Sequence, residues 1–316
     1  MSLEKFFHLK ENNTTVKTEI MAGVTSFMTM AYILAVNPNI LAAAGMDHGA
    51  VFTATAVASF IGTLCMALFA NYPFALAPGM GLNAYFAYTV VLGMGYSWEV
   101  ALAAVLAEGI IFIILSCFNI REAIFNAIPF NLKKAVSVGI GLFITFLGLQ
   151  NAKIVIGGAT LVGLFSVDGY NKTLADGLTA SMSDAGITVL LAIFGVLITG
   201  ILIVKNVKGN ILWGILITWI LGIICQFAGI YVPNPDLGFY NLLPDFSNGI
   251  SIPSLAPIMF KFSLKGVPVL EFIVIVFAFL FVDLFDTLGT LIGVSAKADM
   301  LDSEGRLPRI KGALLA

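Results

Sequence analysis

The chain has 316 residues, of which 59% are hydrophobic and only 11% are charged, and its mean hydropathy is +1.00. This composition is far more apolar than that of a soluble domain, so it predicts an integral membrane protein. A net charge of -2 offers no basic surface for nucleic acid, and the histidines His8 and His48 lie far from any cluster with metal-ligand spacing. We therefore expect no nucleic-acid partner, no metal and no cofactor.

Eight apolar segments approach or exceed the ~20 residues that a spanning helix needs. They lie at 18–37, 50–70, 73–93, 98–118, 134–151, 186–204, 210–231 and 268–294. The two longer links between them, a Gly/Asp/Ser-rich stretch at 152–185 and a Pro-rich stretch at 232–267, are too short for a second domain. The pattern predicts an all-α polytopic membrane protein.

The distribution of positive charge predicts the orientation of these segments. If the N-terminus is cytoplasmic, twelve of the 16 Lys and Arg residues fall on the inner side and four fall in outer loops. Cytoplasmic loops carry the excess of Lys and Arg in membrane proteins. We therefore expect a multi-pass protein of the plasma membrane with its N-terminus, and the tail after the eighth segment, inside the cell.

The third segment, NYPFALAPGMGLNAYFAYTVVLG, is unsuited to a continuous helix. Pro73 and Pro78 lack a backbone donor, and Gly79 and Gly81 permit extended backbone, so we predict a break at 77–82. Broken helices form midplane binding sites in many transporters, and a half-helix starting near Asn83 would point its amides at a ligand. A simple kink, with the Asn83 amide bonded to a neighbouring helix, is the alternative interpretation.

The eighth segment carries two acids in the stretch VDLFDTLGTLIG. At helical spacing Asp283, Asp286, Thr287 and Thr290 share one face, and Ile275 is expected to face lipid. Charges at bilayer depth cost at least a few kcal/mol each, so they are kept where they face a cavity or a partner. Few Lys or Arg residues lie inside other segments, which favours a ligand-binding or proton-linked role over structural ion pairs.

The motifs EKFFHLKENNTTVKTEIMAGVTSFMTMAYILAVNPNIL, NYPFALAPGMGLNAYFAYTVVLGMGYSW and FVDLFDTLGTLIGVSAKADMLD resemble the AzgA-like purine permeases. This family belongs to the nucleobase–cation symporter superfamily, with the xanthine and uracil permeases. The resemblance implies fourteen spanning helices in two inverted repeats of seven, divided into a core and a gate domain. It also implies uptake of hypoxanthine, guanine or adenine with protons.

The resemblance further implies which residues form the site. Asn83 matches the asparagine of the family's third helix, and Asp283 matches the acid that hydrogen-bonds the nucleobase ring. Gly81 and Thr287 complete the predicted substrate-binding set. Asp286 matches a second acid of the eighth helix, and together with Asp283 it is predicted to couple transport to protons. Aromatic walls could come from Tyr85, Phe86 and Phe285, although packing explains each of them better.

On this pattern residues 1–151 hold helices one to four of the core domain and the start of the gate domain. Residues 152–267 hold gate helices with extracellular loops, and 268–316 hold the eighth helix and a cytoplasmic tail. The family's tenth helix, which supplies a binding glutamate, has no counterpart before Ala316. We therefore expect the first repeat plus the eighth helix of a longer permease, with the C-terminal remainder of the fold absent.

Three other interpretations stay open at this point. The chain could be a fragment that does not transport, an assembly partner that forms a homodimer, or an intramembrane aspartyl protease. The protease is disfavoured because its two acids lie on separate helices in YD and GxGD contexts. Here both acids lie on one helix, and no GxGD occurs.

Overall fold

The computed structural model describes residues 6–12, 14–118, 129–158, 160–243, 251–302, 307–308 and 310–315, and most of them are helical. In chain order the helices are α1 Val16–Met30, α2 Ile33–Ala42, α3 His48–Cys65 with the π-helical extension Met66–Ala70, α4 Met80–Ala84 with the π-helical extension Tyr85–Gly93, α5 Trp98–Cys117, α6 Phe130–Asn151, α7 Val167–Asn171, the π-helical turn Met182–Gly186 leading into α8 Ile187–Val204, α9 Asn210–Phe227, α10 Val269–Lys297 and α11 Ile310–Leu315.

Within the described residues, five helices are long and apolar enough to cross a membrane: Val16–Ala42, His48–Ala70, Trp98–Cys117, Met182–Val204 and Asn210–Phe227. They coincide with the predicted first, second, fourth, sixth and seventh segments. The helices α6 and α10, of 22 and 29 residues, lie at the predicted fifth and eighth positions. The structure is thus that of a mostly helical, polytopic membrane protein.

The predicted third segment is broken. The π-helical extension of α3 ends at Ala70, and the next residue, Asn71, has a left-handed backbone with φ 54°. Residues 71–79 form no regular element before α4 begins. The Thr63 side chain holds this extended stretch, because its Oγ1 accepts from Leu76 N at 2.9 Å and donates to Leu76 O at 3.3 Å. The break starts six residues earlier than the 77–82 stretch that the proline and glycine positions predicted.

A short antiparallel hairpin lies in the predicted 152–185 loop. Strand β1, Val155–Gly157, pairs with β2, Val162–Leu164. The prediction of an all-α protein is therefore wrong at this position. The reason is the local run IVIGGATLVGLF, whose β-branched residues favour strands and whose glycines permit the tight turn.

The chain divides into two compact units, Met1–Phe143 with Ile252–Ala316, and Ile144–Ser251. The assignment of the predicted ranges to a core and a gate domain stays a prediction. In the first unit α10 packs against α4 and α5, and α4 packs against α2. Their shared apolar cluster includes Ala50, Val51, Ala87, Val90, Ala101, Ala104, Ile275 and Phe279.

In the second unit α8 packs against α9. One end of this helix pair carries a cap formed by the hairpin, α7 and the loop after α9, around a cluster of Ile156, Tyr170, Ala180, Ala185, Tyr231 and Phe239. Burial and the nearby Asp184 carboxylate raise the pKa values of the Tyr170 and Tyr231 phenols. Burial lowers the pKa of Lys153, whose ammonium lies 5.6 Å from the centre of the Tyr170 ring.

Candidate functional site: the helix break against α10

The start of α4 contacts an acid of α10 directly. A Cβ atom on Gly79, the N-cap residue of α4, would lie only 2.7 Å from Asp286 Oδ2. Only glycine permits this approach, because any side chain here would displace the carboxylate. The contact places a half-buried acid of the eighth segment at the break of the third.

Asn83 lies one turn into α4 and is bonded to a neighbouring helix. Its Nδ2 donates to Asn37 Oδ1 of α2 at 2.5 Å, and Asn37 Nδ2 donates to Thr55 Oγ1 of α3 at 2.7 Å. Asn37 and Thr55 are only 4% and 2% exposed. The kink interpretation correctly foresaw an interhelical bond of this kind. An amide both donates and accepts, so this bond leaves the Asn83 oxygen as a further acceptor group.

Sequence reasoning missed Asn37 as a member of this network. The signal was the pair Asn37-Pro38 inside the apolar run AVNPNIL. Proline lacks the N–H that the helix requires, and Pro38 lies inside α2. A buried amide next to a proline within a helix indicates a polar contact between helices, because a buried amide requires hydrogen bonds.

Asp283 and Thr287 share one face of α10, as their spacing predicted. Thr287 Oγ1 donates to Asp283 Oδ1 at 3.4 Å, and both side chains are half-buried. Thr290, predicted on the same polar face, is exposed instead. The predicted polar face therefore reaches the bundle interior at Asp283, Asp286 and Thr287, and Thr290 does not belong to it.

Gly81 faces a different neighbour. A Cβ on this residue would lie 3.5 Å from Phe143 Cε1 of α6, an ordinary contact distance. A side chain at position 81 would therefore point toward the Phe143 ring. Gly79, rather than Gly81, is the glycine that permits the approach of an acid.

A third acid, Glu108 of α5, was missed by sequence reasoning. It is 6% exposed, although it lies in the middle of a span. It follows Ala101 and Ala104 on the same helical face, and these alanines belong to the cluster that contains Phe279 of α10. Glu108 therefore lies on the face of α5 that packs against α10. The signal was a lone glutamate within the apolar run AAVLAEGIIFII.

The start of α5 lies beside the start of α10. The Tyr96 hydroxyl, two residues before α5, contacts the carboxylate of Glu271 in the first turn of α10. This contact indicates that the two helices run in the same direction.

Contacts at the C-terminal end of α5 also indicate that α5 and α10 run in the same direction. Ser116 Oγ donates to the Leu314 carbonyl at 3.4 Å. Leu314 belongs to one cluster with Leu291 and Ile292, near the end of α10. The two helices thus run parallel from one end to the other.

The three aromatic residues considered as walls are engaged in packing. Tyr85 meets Phe279 edge to face, with ring centres 5.0 Å apart. Phe86 is 5% exposed in the apolar cluster of the first unit, and Phe285 lies 4.7 Å from the Phe281 ring. These contacts are consistent with packing for all three rings.

Two cavities, of about 480 and 700 Å³, adjoin the extended stretch at Tyr72 and Pro73. The smaller is mainly apolar and lies between α1, α3 and residues 72–77. Neither cavity is lined by Asn83, Asp283 or Asp286. The predicted site residues Asn83, Asp283 and Asp286 therefore lie outside the walls of both cavities.

Residues 17–316 match the model of the xanthine/uracil permease group, described as a permease family. The chain belongs to this family. Family membership places it among transporters rather than enzymes, which removes the aspartyl protease alternative. The recognition from the sequence motifs is thereby confirmed.

Curated relatives match almost the whole chain. A permease-family protein of Methanocaldococcus jannaschii is 47% identical over 99% of this chain and 65% of its own length. The guanine/hypoxanthine permease PbuG of Bacillus subtilis is 42% identical over 99% of this chain and 67% of its own length. The adenine permease AdeP of Escherichia coli is 38% identical over 99% of this chain and 63% of its own length. The chain thus spans about two thirds of the length of these relatives.

Proposed function

We propose that this chain carries the nucleobase site of a purine permease that imports hypoxanthine, guanine or adenine by proton symport. The names of the relatives support a purine substrate, since they include guanine/hypoxanthine and adenine permeases. The observation that carries the proposal is the contact between Gly79 and Asp286. It brings a helix break and an intramembrane acid together, and this combination suits a transport site.

The chemistry of a purine fits the side chains at the break. Its flat ring system offers N–H donors and carbonyl or imine acceptors in one plane. In our proposal the Asp283 carboxylate accepts from a ring N–H, and Thr287 orients that carboxylate through its hydroxyl. Asn83 offers an amide oxygen to the same ring. The first turn of α4, at Gly81, contributes backbone N–H groups, which at the start of a helix have no carbonyl of a preceding turn to bond.

The acids supply the proposed proton step. Carboxylates removed from water favour the protonated form. Glu108 lies on the face of α5 that packs against α10, and Asp286 follows Asp283 by about one turn. In our proposal these acids take up a proton when the purine binds from outside. Release of both the purine and the proton inside the cell would then link purine entry to proton entry. Asp286 and Asp283 are the proposed coupling residues, with Glu108 as a third.

The proposed setting is the plasma membrane, with the N-terminus cytoplasmic and the lipid bilayer as the surrounding partner. The excess of Lys and Arg on the predicted inner side supports this orientation. A homodimer is the assembly we propose. A fragment without transport activity is not favoured by any contact described above.

Uptake of radiolabelled bases tests the function. Cells that lack their own purine permeases should express the chain as it stands, and also with any sequence that follows it in its gene. We expect uptake of hypoxanthine, guanine or adenine by the longer form, and suppression of that uptake by a protonophore. Uracil or xanthine as the main substrate would contradict the purine assignment, and uptake that persists with the protonophore would contradict proton symport.

A further inference from the structure

The hairpin β1–β2 presents an apolar surface that none of the proposed transport steps uses. The segment 154–165, IVIGGATLVGLF, contains no charged residue. Leu161 and Leu164 are 87% and 80% exposed, and Val162 is 45% exposed. Val162 and Leu164 share one face of β2, and Leu161 lies in the turn before that strand; we term these three exposed side chains the outer face of the hairpin. Two almost fully exposed leucines within one uncharged hairpin indicate contact with an apolar partner.

The strand register prevents this face from turning inward. Ile156 pairs with Gly163, and Val155 pairs with Leu164. Successive side chains of a strand point to opposite faces. Ile156 is 7% exposed within the cluster of the cap, so Leu164, on the opposite face, must point away from it.

The hairpin lies close to the ends of membrane spans. It begins four residues after α6 ends at Asn151, a distance of at most about 14 Å for an extended chain. Ile187 in the first turn of α8 and Cys225 near the end of α9 pack against the same cluster as Ile156. The cluster that holds the hairpin thus continues into the spanning helices.

Two tyrosines lie just after α9, at the end of the helix pair that carries the cap. Tyr231 and Tyr240 follow the end of α9, and the Tyr231 hydroxyl donates to the Tyr240 carbonyl at 2.6 Å. Tyrosine concentrates at the boundary between membrane and water, because its ring is apolar and its hydroxyl is polar. Tyr231 is buried with Ile156 of the hairpin, whereas Tyr240 is 59% exposed, so Tyr240 is the side chain of this pair that suits such a boundary.

We propose that the outer face of the hairpin inserts into the interfacial layer of the bilayer and contacts the phospholipid acyl chains beside the span ends. It continues the apolar exterior of α8 and α9, where residues such as Phe194 and Ile224 are 57% and 55% exposed. Uncharged apolar side chains are what this layer accepts in monotopic segments.

A second protein copy fits the outer face less well. Three side chains are far fewer than the 20–30 residues that contribute roughly 800 Å² per partner to a stable interface. Three charged residues of the cap, Asp168, Lys172 and Asp176, are exposed outside the hairpin. The cap therefore divides into a charged loop for water and an apolar hairpin for lipid.

Photolabelling of the unaltered chain tests this proposal without any transport measurement. The chain would be placed in phosphatidylcholine nanodiscs that contain a phospholipid with a diazirine near the carbonyl end of an acyl chain. After photolysis, digestion and mass spectrometry, we expect several-fold more lipid adducts on residues 154–165 than on residues 166–178 of the same cap. Equal labelling of the two peptides would overturn the proposal.

Two variants sharpen this result. Combining Leu161→Ser with Leu164→Ser should reduce the adducts on 154–165 to the level of 166–178, whereas Lys172→Ser in the charged loop should leave them unchanged. If the double variant does not fold, the labelling of the unaltered chain still decides the matter. Protection of 154–165 from the lipid probe, with photo-leucine crosslinks between two copies at this peptide, would show a protein interface and overturn lipid contact.

Discussion

The molecule uses a glycine for close helix approach in two regions, with different chemistry opposite each glycine. In the first unit Gly79 lies against the carboxylate of Asp286, and a Cβ would lie 2.7 Å from its oxygen. In the second unit Gly195 of α8 lies against Thr218 of α9, and a Cβ would lie 2.5 Å from the hydroxyl oxygen. Both glycines leave room for a polar oxygen where a Cβ would clash, but a hydroxyl and a carboxylate require different hydrogen-bond partners.

The Thr218 hydroxyl is satisfied inside its own helix, where it donates to the Gly214 carbonyl at 2.7 Å. Thr199 does the same with the Gly195 carbonyl, also at 2.7 Å. An ionised carboxylate only accepts hydrogen bonds, so a helix cannot satisfy it with its carbonyls. The glycine–threonine contacts therefore complete helix packing, whereas the carboxylate opposite Gly79 requires N–H or O–H donors or a proton.

The largest effect is expected for Gly79→Ala. The new methyl group would displace the Asp286 carboxylate, and a misplacement of about 1 Å in a site can reduce its rate by 10²-fold. Purine uptake at equal membrane abundance should fall by about that factor. Gly109→Ala is the matched control, because a Cβ there meets nothing within 4 Å. Gly195→Ala should instead lower the thermal stability in detergent, while the surviving protein keeps its purine affinity.

The next effect is expected for Asp283→Asn, which keeps the side-chain size but removes the charge. Hydrogen bonds to charged groups contribute about 1.5–3 kcal/mol, so purine affinity should fall about ten-fold or more. Asn83→Ala should weaken binding less, since an uncharged bond contributes only about 0.5–1.5 kcal/mol. Ile273→Val, at a 57% exposed position of α10, should change nothing. Unchanged affinity and pH dependence in Asp283→Asn would assign Asp283 a structural role.

Asp286→Asn should mainly reduce the transport rate. The amide occupies the same space beside Gly79 but cannot exchange a proton at physiological pH. We expect the apparent affinity for purine to change little while the maximal rate of uptake falls and sensitivity to a protonophore decreases. A loss of affinity as large as that of Asp283→Asn would show that Asp286 binds the base instead.

The smallest effect is expected for Glu108→Gln. Proton symport should be faster at low external pH, where the acids of the site are more fully protonated, and slower as the pH rises. Glutamine imitates the protonated acid at every pH, so the ratio of uptake at low pH to uptake at neutral pH should move toward one. Purine affinity should be retained, and Glu108→Asp should restore part of the pH dependence. A normal pH profile in Glu108→Gln would exclude Glu108 from the coupling group.

The sequence correctly predicted the features that depend on local composition. Apolar length located the spanning helices, because removal of backbone groups from water requires about 20 helical residues. The prolines and glycines of the third segment indicated its break, because these residues limit helical hydrogen bonding wherever they occur. The spacing of Asp283, Asp286 and Thr287 placed them on one face, since helical periodicity is set by the backbone.

The tertiary structure alone decided which helix faces meet. Ile275, expected to face lipid, is 1% exposed in the core of the first unit, because a span that is apolar all round does not reveal which side packs against other helices. The bond from Asn83 to Asn37, the packing of the Glu108 face of α5 against α10, and the approach of Asp286 to Gly79 all join residues distant in sequence. Composition and period specify each helix separately, whereas these contacts depend on packing between helices.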